Sequence, residues 1–148
     1  MYQFVDQPII GLSRGSQLVL WAMRGWTHQL NNGHCPPAAL APTFERLGVI
    51  DALPPFHKMM ALLNHYAAHE FAFGCLTELI IGEDEAILLG LWRHVAHRQF
   101  ANAEATLEMI SSEGAAKSIV QAMSVASNVF SAKNARPIGM TYMATNEA

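Results

Sequence analysis

The chain of 148 residues is long enough for one domain with its own hydrophobic core, and 51% hydrophobic residues argue against intrinsic disorder. Its net charge of −3 argues against a nucleic-acid partner, because phosphate binding needs clustered Lys and Arg. Only 14% of the residues are charged, against roughly 25% in average soluble domains, which predicts apolar surface that meets another subunit.

Residues 1–12 are predicted to form an extended arm that ends at Gly11. The segment has no basic stretch, and Asp6 and Pro8 interrupt its apolar run, so it does not resemble a secretory signal. The sequence therefore predicts a cytoplasmic protein rather than a secreted one.

A first helix is predicted to start at Ser13 or Ser16, since either residue can act as the N-cap. It is expected to end near Leu30, because residues 31–33, Asn-Asn-Gly, are a stop signal. Apolar residues cover most of its circumference, which is typical of a helix at the centre of a bundle or in an interface. The helix is too short to cross a bilayer, so no membrane partner is expected.

A short second helix is predicted to open at the proline pair 36–37 and to reach about Leu47. Proline is tolerated in the first turn of a helix, because the backbone N–H that it lacks would have no hydrogen-bond partner within the helix there. Pro42 falls within the predicted helix, so the helix is either broken there or starts there.

The third helix is predicted to begin near Pro54 and to run at least to Phe71. A bend at residues 73–74, Phe-Gly, is expected before the helix continues to Ile81. This helix carries the segment HYAAHE, residues 65–70, which is the most distinctive pattern in the chain.

The fourth helix is predicted to start at the acidic residues 83–85, which favour a helix N-terminus, and to reach about Gln99. It is expected to continue to Ile110 after a break near Asn102. The apolar stripe of a last helix ends near Ala132.

These elements predict an all-α fold. We expect a single-domain bundle of about five helices, in which short connections make sequential helices pack antiparallel. The bundle occupies residues 13–132, preceded by an extended arm at 1–12 and followed by a flexible tail at 133–148.

Four histidines on the third and fourth helices form a candidate metal site. His65 and His69 are one helical turn apart, a spacing that can chelate zinc or another divalent transition metal. His94 and His97 lie on the next helix and could reach the pair across an antiparallel hairpin. HExxH and HxxEH are absent, and no glutamate has a histidine three residues later, so zinc-protease and carboxylate-bridged sites are excluded.

The helical wheel divides HYAAHE between two faces. At about 100° per residue, His65 and His69 fall opposite the apolar stripe that contains Phe56. The histidine face is then a solvated surface, a subunit interface or a metal site. Glu70 falls inside the stripe, where a carboxylate must be paired, hydrogen-bonded or protonated, so it is predicted to be buried.

Three further polar residues are candidates for the interior. Arg24 and His28 share the polar side of the first helix and, like Arg46, are candidate partners for Glu70. Gln99 falls in the apolar stripe of the fourth helix and is expected to be buried and hydrogen-bonded. The expected role of Glu70 is an internal ion pair, and a general acid or base is the alternative.

The large apolar side chains Trp21, Trp26 and Trp92 are expected to anchor the core. The alternative is an apolar pocket between helices that takes a small ligand. Cys35 and Cys75 form no CxxC pattern, so neither a zinc ribbon nor covalent haem attachment is encoded.

The sequence contains no complete catalytic constellation and does not predict an enzyme. It favours a small cytoplasmic helical protein that acts through self-association or another protein partner, in a regulatory or adaptor role. The first alternative is a metal-binding bundle, hydrolase or sensor, that uses His65 and His69 with His94 and His97. The second is a protein that binds a small apolar ligand. No cofactor is expected apart from the metal of the first alternative.

Overall fold

A computed structural model of the chain describes residues 2–112 and 114–140. These residues form six α-helices and no β-strand, which confirms the predicted all-α bundle. The helices are α1 (Arg14–Asn31), α2 (Pro36–Arg46), α3 (Leu53–Tyr66), α4 (Glu83–Ala96), α5 (Phe100–Ile110) and α6 (Ala116–Ala132). Short 3-10 turns lie at Tyr2–Phe4, Ile9–Gly11 and Ile50–Ala52. Residues 141–148 of the predicted tail lie outside the described residues.

Local sequence signals set several helix ends. Ser13 caps α1 by accepting a hydrogen bond from the backbone N–H of Ser16 at 3.2 Å. The chain turns away at Gly33, whose φ of 76° suits glycine. Pro36 opens α2, and Pro42 is accommodated within that helix. The predicted first, second and last helices are therefore confirmed. The predicted break or later start at Pro42 is wrong, because α2 runs without interruption from Pro36 to Arg46.

The third helix ends earlier than the sequence predicts. It stops at Tyr66, and the prediction that it reaches Phe71 or beyond is wrong. The backbone instead leaves the helix and pairs with the end of α5, where the N–H of Ala68 donates to Ile110 O at 3.0 Å. Residues 67–82 therefore form a long non-helical segment that is held by contacts to distant parts of the chain.

The predicted fourth helix is divided into α4 and α5. The break falls at residues 97–99 rather than near Asn102, because Arg98 adopts left-handed backbone with a φ of 59°. The chain then forms α5, and this helix ends at Ile110, as predicted. This break accounts for the helix beyond the predicted five.

The centre of the bundle is rich in aromatic rings. Trp92 of α4 stacks on Phe56 of α3, with ring centroids 6.3 Å apart and an interplanar angle of 17°. Phe130 of α6 tilts against Trp92 at 6.1 Å, and Phe44 of α2 contacts both Phe56 and Phe130. All four side chains are fully buried. Such offset and tilted contacts stabilise a core beyond the burial of apolar area alone.

Residues 2–11 pack on the bundle and are less extended than predicted. The side chain of Phe4 is fully buried in the core, and the burial of its apolar surface holds this segment against the bundle. Residues 6–9 run antiparallel to residues 79–81, with backbone hydrogen bonds of 2.9 and 3.0 Å. The N-terminal segment is thus tied to the connection between α3 and α4.

Residues 133–140, the start of the predicted tail, close the bundle across the beginning of α1. The N–H of Ser13 donates to Gly139 O at 2.7 Å. A Cβ on Gly15 would collide with the carbonyl oxygen of Ala135, so only glycine permits this approach. The first turn of α1 is therefore packed against chain from the opposite end of the described sequence.

A buried ion pair fixes the non-helical segment 67–82. Arg24 Nε and Nη2 donate to the Glu85 carboxylate at 2.6 and 2.9 Å, and the two side chains are only 2% and 1% exposed. The guanidinium also donates to the carbonyl oxygens of Glu78 at 2.7 Å and Ile80 at 3.1 Å. One arginine of α1 therefore joins the start of α4 to the segment that precedes it.

The Glu85 carboxylate binds the same segment from the other side. It accepts hydrogen bonds from the N–H of Gly74 at 3.0 Å and from the N–H of Gly82 at 2.8 Å. Burial opposes the ionisation of Glu85, but the hydrogen bonds from Arg24 and the two amides outweigh it, so its pKa lies below the ordinary value. The folded state therefore favours the charged form of Glu85.

Replacing Glu85 by Gln is expected to lower the free energy of unfolding by about 3–5 kcal/mol, because Arg24 would stay buried without its counter-charge. Urea denaturation measures this loss. The matched control is Glu83→Gln, an exposed acid in the same helical turn, which should cost less than about 1 kcal/mol. Equal losses in the two variants would contradict the role assigned to the pair.

The stability difference between the wild type and Glu85→Gln is expected to depend on pH. Because folding lowers the pKa of Glu85, its contribution is fully present above its unfolded value of about 4.3. The contribution disappears as the pH falls through the lower folded value. Urea denaturation at a series of pH values should therefore show the gap between the two proteins narrowing in acid. A gap of constant size would show that the charge on Glu85 is not what stabilises the fold.

Candidate functional site

The first two histidines of the predicted metal site lie in different surroundings. His65 occupies the last turn of α3, where its ring meets that of Tyr66 edge-on with centroids 4.6 Å apart. His69 lies in the non-helical segment, so the helical spacing of the pair is lost. Its Nε2 is 3.6 Å from Asp84 Oδ1, and its ring contacts Phe71.

The other two histidines lie at the end of α4. His94 Nδ1 forms a hydrogen bond of 2.7 Å with Gln99 Oε1. The pKa of His97 is lowered, first by burial and then by the charges of Arg136, Arg93 and His94. Within the part of the chain that the structure describes, no three His, Cys, Asp or Glu side chains converge as a metal site requires. The predicted four-histidine site is therefore not assembled.

Of the predicted buried polar residues, only Arg24 is buried. Glu70 is exposed, and its predicted burial is wrong because the helix that would carry it inward ends at Tyr66. Gln99 is also exposed, since it follows the end of α4 rather than continuing its apolar stripe. His28 is exposed on the surface of α1.

The partner of Arg24 is Glu85, which the sequence patterns did not single out. A signal for it exists, because Glu85 lies three residues before Leu88 and seven before Trp92, both of which are fully buried. That spacing places the carboxylate on the inner face of α4. The acidic run at residues 83–85 obscures the signal, since all three acids also suit a helix N-terminus.

The three tryptophans do not share a pocket. Trp92 is fully buried in the aromatic centre. Trp21 is half-buried and lines a surface depression together with Leu18. Trp26 lines a different groove, and its indole N–H donates to His57 Nδ1 at 3.0 Å, which fixes the ring.

The groove beside Trp26, here called the His69 groove, lies between α1, α3 and the segment that follows α3. Its volume is about 310 Å³, at the lower end of the range for small-molecule sites. Apolar side chains and hydrogen-bonding groups line it side by side, as they do in sites for small ligands. The apolar residues are Trp26, Leu30, Met60, Leu63, Ala67, Phe71 and Phe73, and the polar ones are Thr27, Asn31, Asn64, His69 and Glu70.

A second surface feature is the apolar ridge formed by Pro8, Ile10, Leu79 and Ile80. These residues lie on the two segments that pair with each other, since the N–H of Ile9 donates to Leu79 O at 2.9 Å. Ile10 is 86% exposed, Leu79 75% and Ile80 49%. Large apolar side chains grouped in this way mark a candidate contact surface for another molecule.

The backbone under the apolar ridge has its hydrogen bonds largely satisfied. The Glu78 carboxylate accepts from the N–H groups of Leu79 at 3.1 Å and Ile80 at 3.4 Å. The carbonyl oxygens of Leu79 and Ile80 accept from Ile9 and Arg24. A partner would therefore meet apolar side chains rather than an open β-edge.

No protein-family model matches the chain, and comparisons with curated proteins and with solved structures find no match. None of the helices in the described part of the chain combines the length and the apolar character needed to cross a membrane. Function must therefore be inferred from the surfaces of this chain alone.

Proposed function

We propose that this protein is a cytoplasmic homo-oligomer that acts through association in a regulatory or adaptor role, with the apolar ridge at its subunit contact. The observation that carries the proposal is the exposure of Ile10, Leu79 and Ile80 on backbone that is held in place. The low charge content of 14% supports it, since few charges are available to keep the surface solvated.

A second copy of the chain is the occupant that best fits the ridge. In a two-fold dimer the same patch meets itself, and none of the four ridge residues carries a charge that would repel its copy. The Arg24 guanidinium fixes the backbone of the ridge through Ile80 O, so little conformational entropy is lost on binding. A standard interface buries about 800 Å² on each partner, so the ridge would form the centre and its surroundings the rim.

The His69 groove supports a second candidate function, the binding of a small, mostly apolar ligand. Phe71 and Phe73 supply aromatic surface, and Asn64 and Glu70 supply hydrogen-bonding groups beside it. The Trp26 ring is fixed by His57, so part of the site is formed before any ligand binds.

Replacing Leu79 by Glu is expected to convert the oligomer into a monomer, because a charge at the centre of an apolar contact would be buried against its own copy. Size-exclusion chromatography with light scattering at several concentrations measures the mass. Met109→Glu is the matched control, since Met109 is equally exposed, at 78%, but lies on α5. A wild-type protein that stays monomeric, or equal effects of both variants, would contradict the proposal.

The His69 groove is expected to bind the neutral fluorescent probe N-phenyl-1-naphthylamine. Phe71→Ala should weaken this binding about tenfold, because an aromatic contact contributes roughly 1 kcal/mol or more. Leu47→Ala, which removes a partly exposed side chain outside the groove, should leave it unchanged. Fluorescence titration measures the affinity of the wild type and of the two variants for the probe. Equal affinities of the wild type and Phe71→Ala would rule the groove out as the binding site.

A further inference from the structure

A polar cleft lies where the turn between α4 and α5 meets α6, and it shares no lining residue with the His69 groove or the apolar ridge. Its volume is about 380 Å³. Two arginines line it and no acidic side chain does, although acids outnumber Lys and Arg in the chain by 12 to 9. Its polar side chains are Arg98, Arg136, Ser124, Ser127, Asn128 and Ser131.

The α6 side of the cleft is one polar face of the helix. Ser124, Ser127, Asn128 and Ser131 follow the spacing of three, four and seven residues that places side chains on the same face. Ser127 is only 4% exposed and lines the cleft. A serine hydroxyl can donate a hydrogen bond to an acceptor that enters the cleft.

The opposite side of the cleft is electropositive. Arg136 Nε donates to the carbonyl oxygen of Ala96 at 3.1 Å, which offsets the negative end of the α4 dipole and fixes the guanidinium. Arg98 is exposed beside it. The lowered pKa of His97, caused by burial and then by Arg136 and its other cationic neighbours, agrees with a positive potential here.

The N-terminus of α5 adds to this potential. The helix has 11 residues, and its first residue, Phe100, lines the cleft. Its first turn has no acid, and the N-cap residue Gln99 makes no capping hydrogen bond because its side chain binds His94. Uncapped N-terminal amides carry a partial positive charge that favours anions.

We propose that this cleft binds the phosphate group of a small organic phosphomonoester. Arg98 and Arg136 provide the charge, and the hydroxyl of Ser127 donates to a phosphate oxygen. A phosphate presents three acceptor oxygens that guanidinium and hydroxyl donors can reach from different directions. The volume is that of a small-molecule site, and Val95 and Phe100 offer apolar contact to the organic group.

Two features disfavour a nucleic acid as the anion in this cleft. Only two arginines line it, whereas binding a polyanion requires the neutralisation of many phosphates. The chain as a whole carries a net charge of −3, which repels an extended polyanion beyond the cleft.

Isothermal titration calorimetry with phenyl phosphate tests the proposal on the full chain. The wild type is expected to bind with a Kd of about 1 mM or below. Arg98→Gln should weaken binding at least about tenfold, because it removes an exposed charge from the cleft without removing a core contact. Arg46→Gln, which changes an exposed arginine at the end of α2, is the matched control and should bind as the wild type does.

Ser127→Ala should also weaken binding of phenyl phosphate while leaving the melting temperature of the free protein unchanged within a degree or two, because it removes a single hydroxyl from a residue that lines the cleft. Inorganic phosphate is expected to bind more weakly than phenyl phosphate, and phenol not at all. Absence of phenyl phosphate binding to the wild type, or equal affinities of Arg98→Gln and Arg46→Gln, would overturn the site. Equal affinities for inorganic phosphate and phenyl phosphate would overturn the assignment of an organic ester.

Discussion

The hydrogen-bonded pair of Arg24 and Glu85 is the interaction on which the surface of this bundle depends. A buried ion pair is often no more stabilising than apolar residues of the same size, so its value lies in what it specifies. Here it holds a non-helical segment in one backbone conformation, because two carbonyl oxygens and two amides of residues 74–82 are hydrogen-bonded to the pair. An apolar pair in the same place would leave those four backbone groups without partners.

The segment fixed in this way contributes to two of the three surfaces for which we propose a function. Its beginning, with His69, Phe71 and Phe73, forms one wall of the groove. Its end, with Leu79 and Ile80, forms half of the apolar ridge. The polar cleft on α6 involves neither end and is lined by residues of α4, α5 and α6, by Arg98 of the turn between α4 and α5, and by Arg136. The irregular segment therefore shapes two of these surfaces, and the packing of α4, α5 and α6 shapes most of the third.

Much of the bundle was predictable because its signals are local. Ser13 and Gly33 mark the ends of α1, Pro36 opens α2, and an apolar stripe marks α6. The end of α3 was not predictable in this way, since the alanines after Tyr66 favour helix and no local stop precedes Gly74. The backbone after Tyr66 pairs with the end of α5, and the segment that follows binds Arg24 through the carbonyl oxygens of Glu78 and Ile80. Both contacts join residues far apart in sequence.

The candidate sites were less predictable for the same reason. The spacing of His65 and His69 suggested metal binding only while both lay on one helix. Glu70 was expected inside because it was placed on that same helix. The true partner of Arg24 was concealed in an acidic run, whose other two members are exposed or half-buried.

The contact between the two ends of the described chain has a consequence for folding. A hydrogen bond from Gly139 to Ser16 spans 123 residues, and it seats the last described segment on the first helix. The first turn of α1 therefore completes its contacts only after residues 135–139 have been added to the chain, so closure of this end of the bundle is a late step of folding.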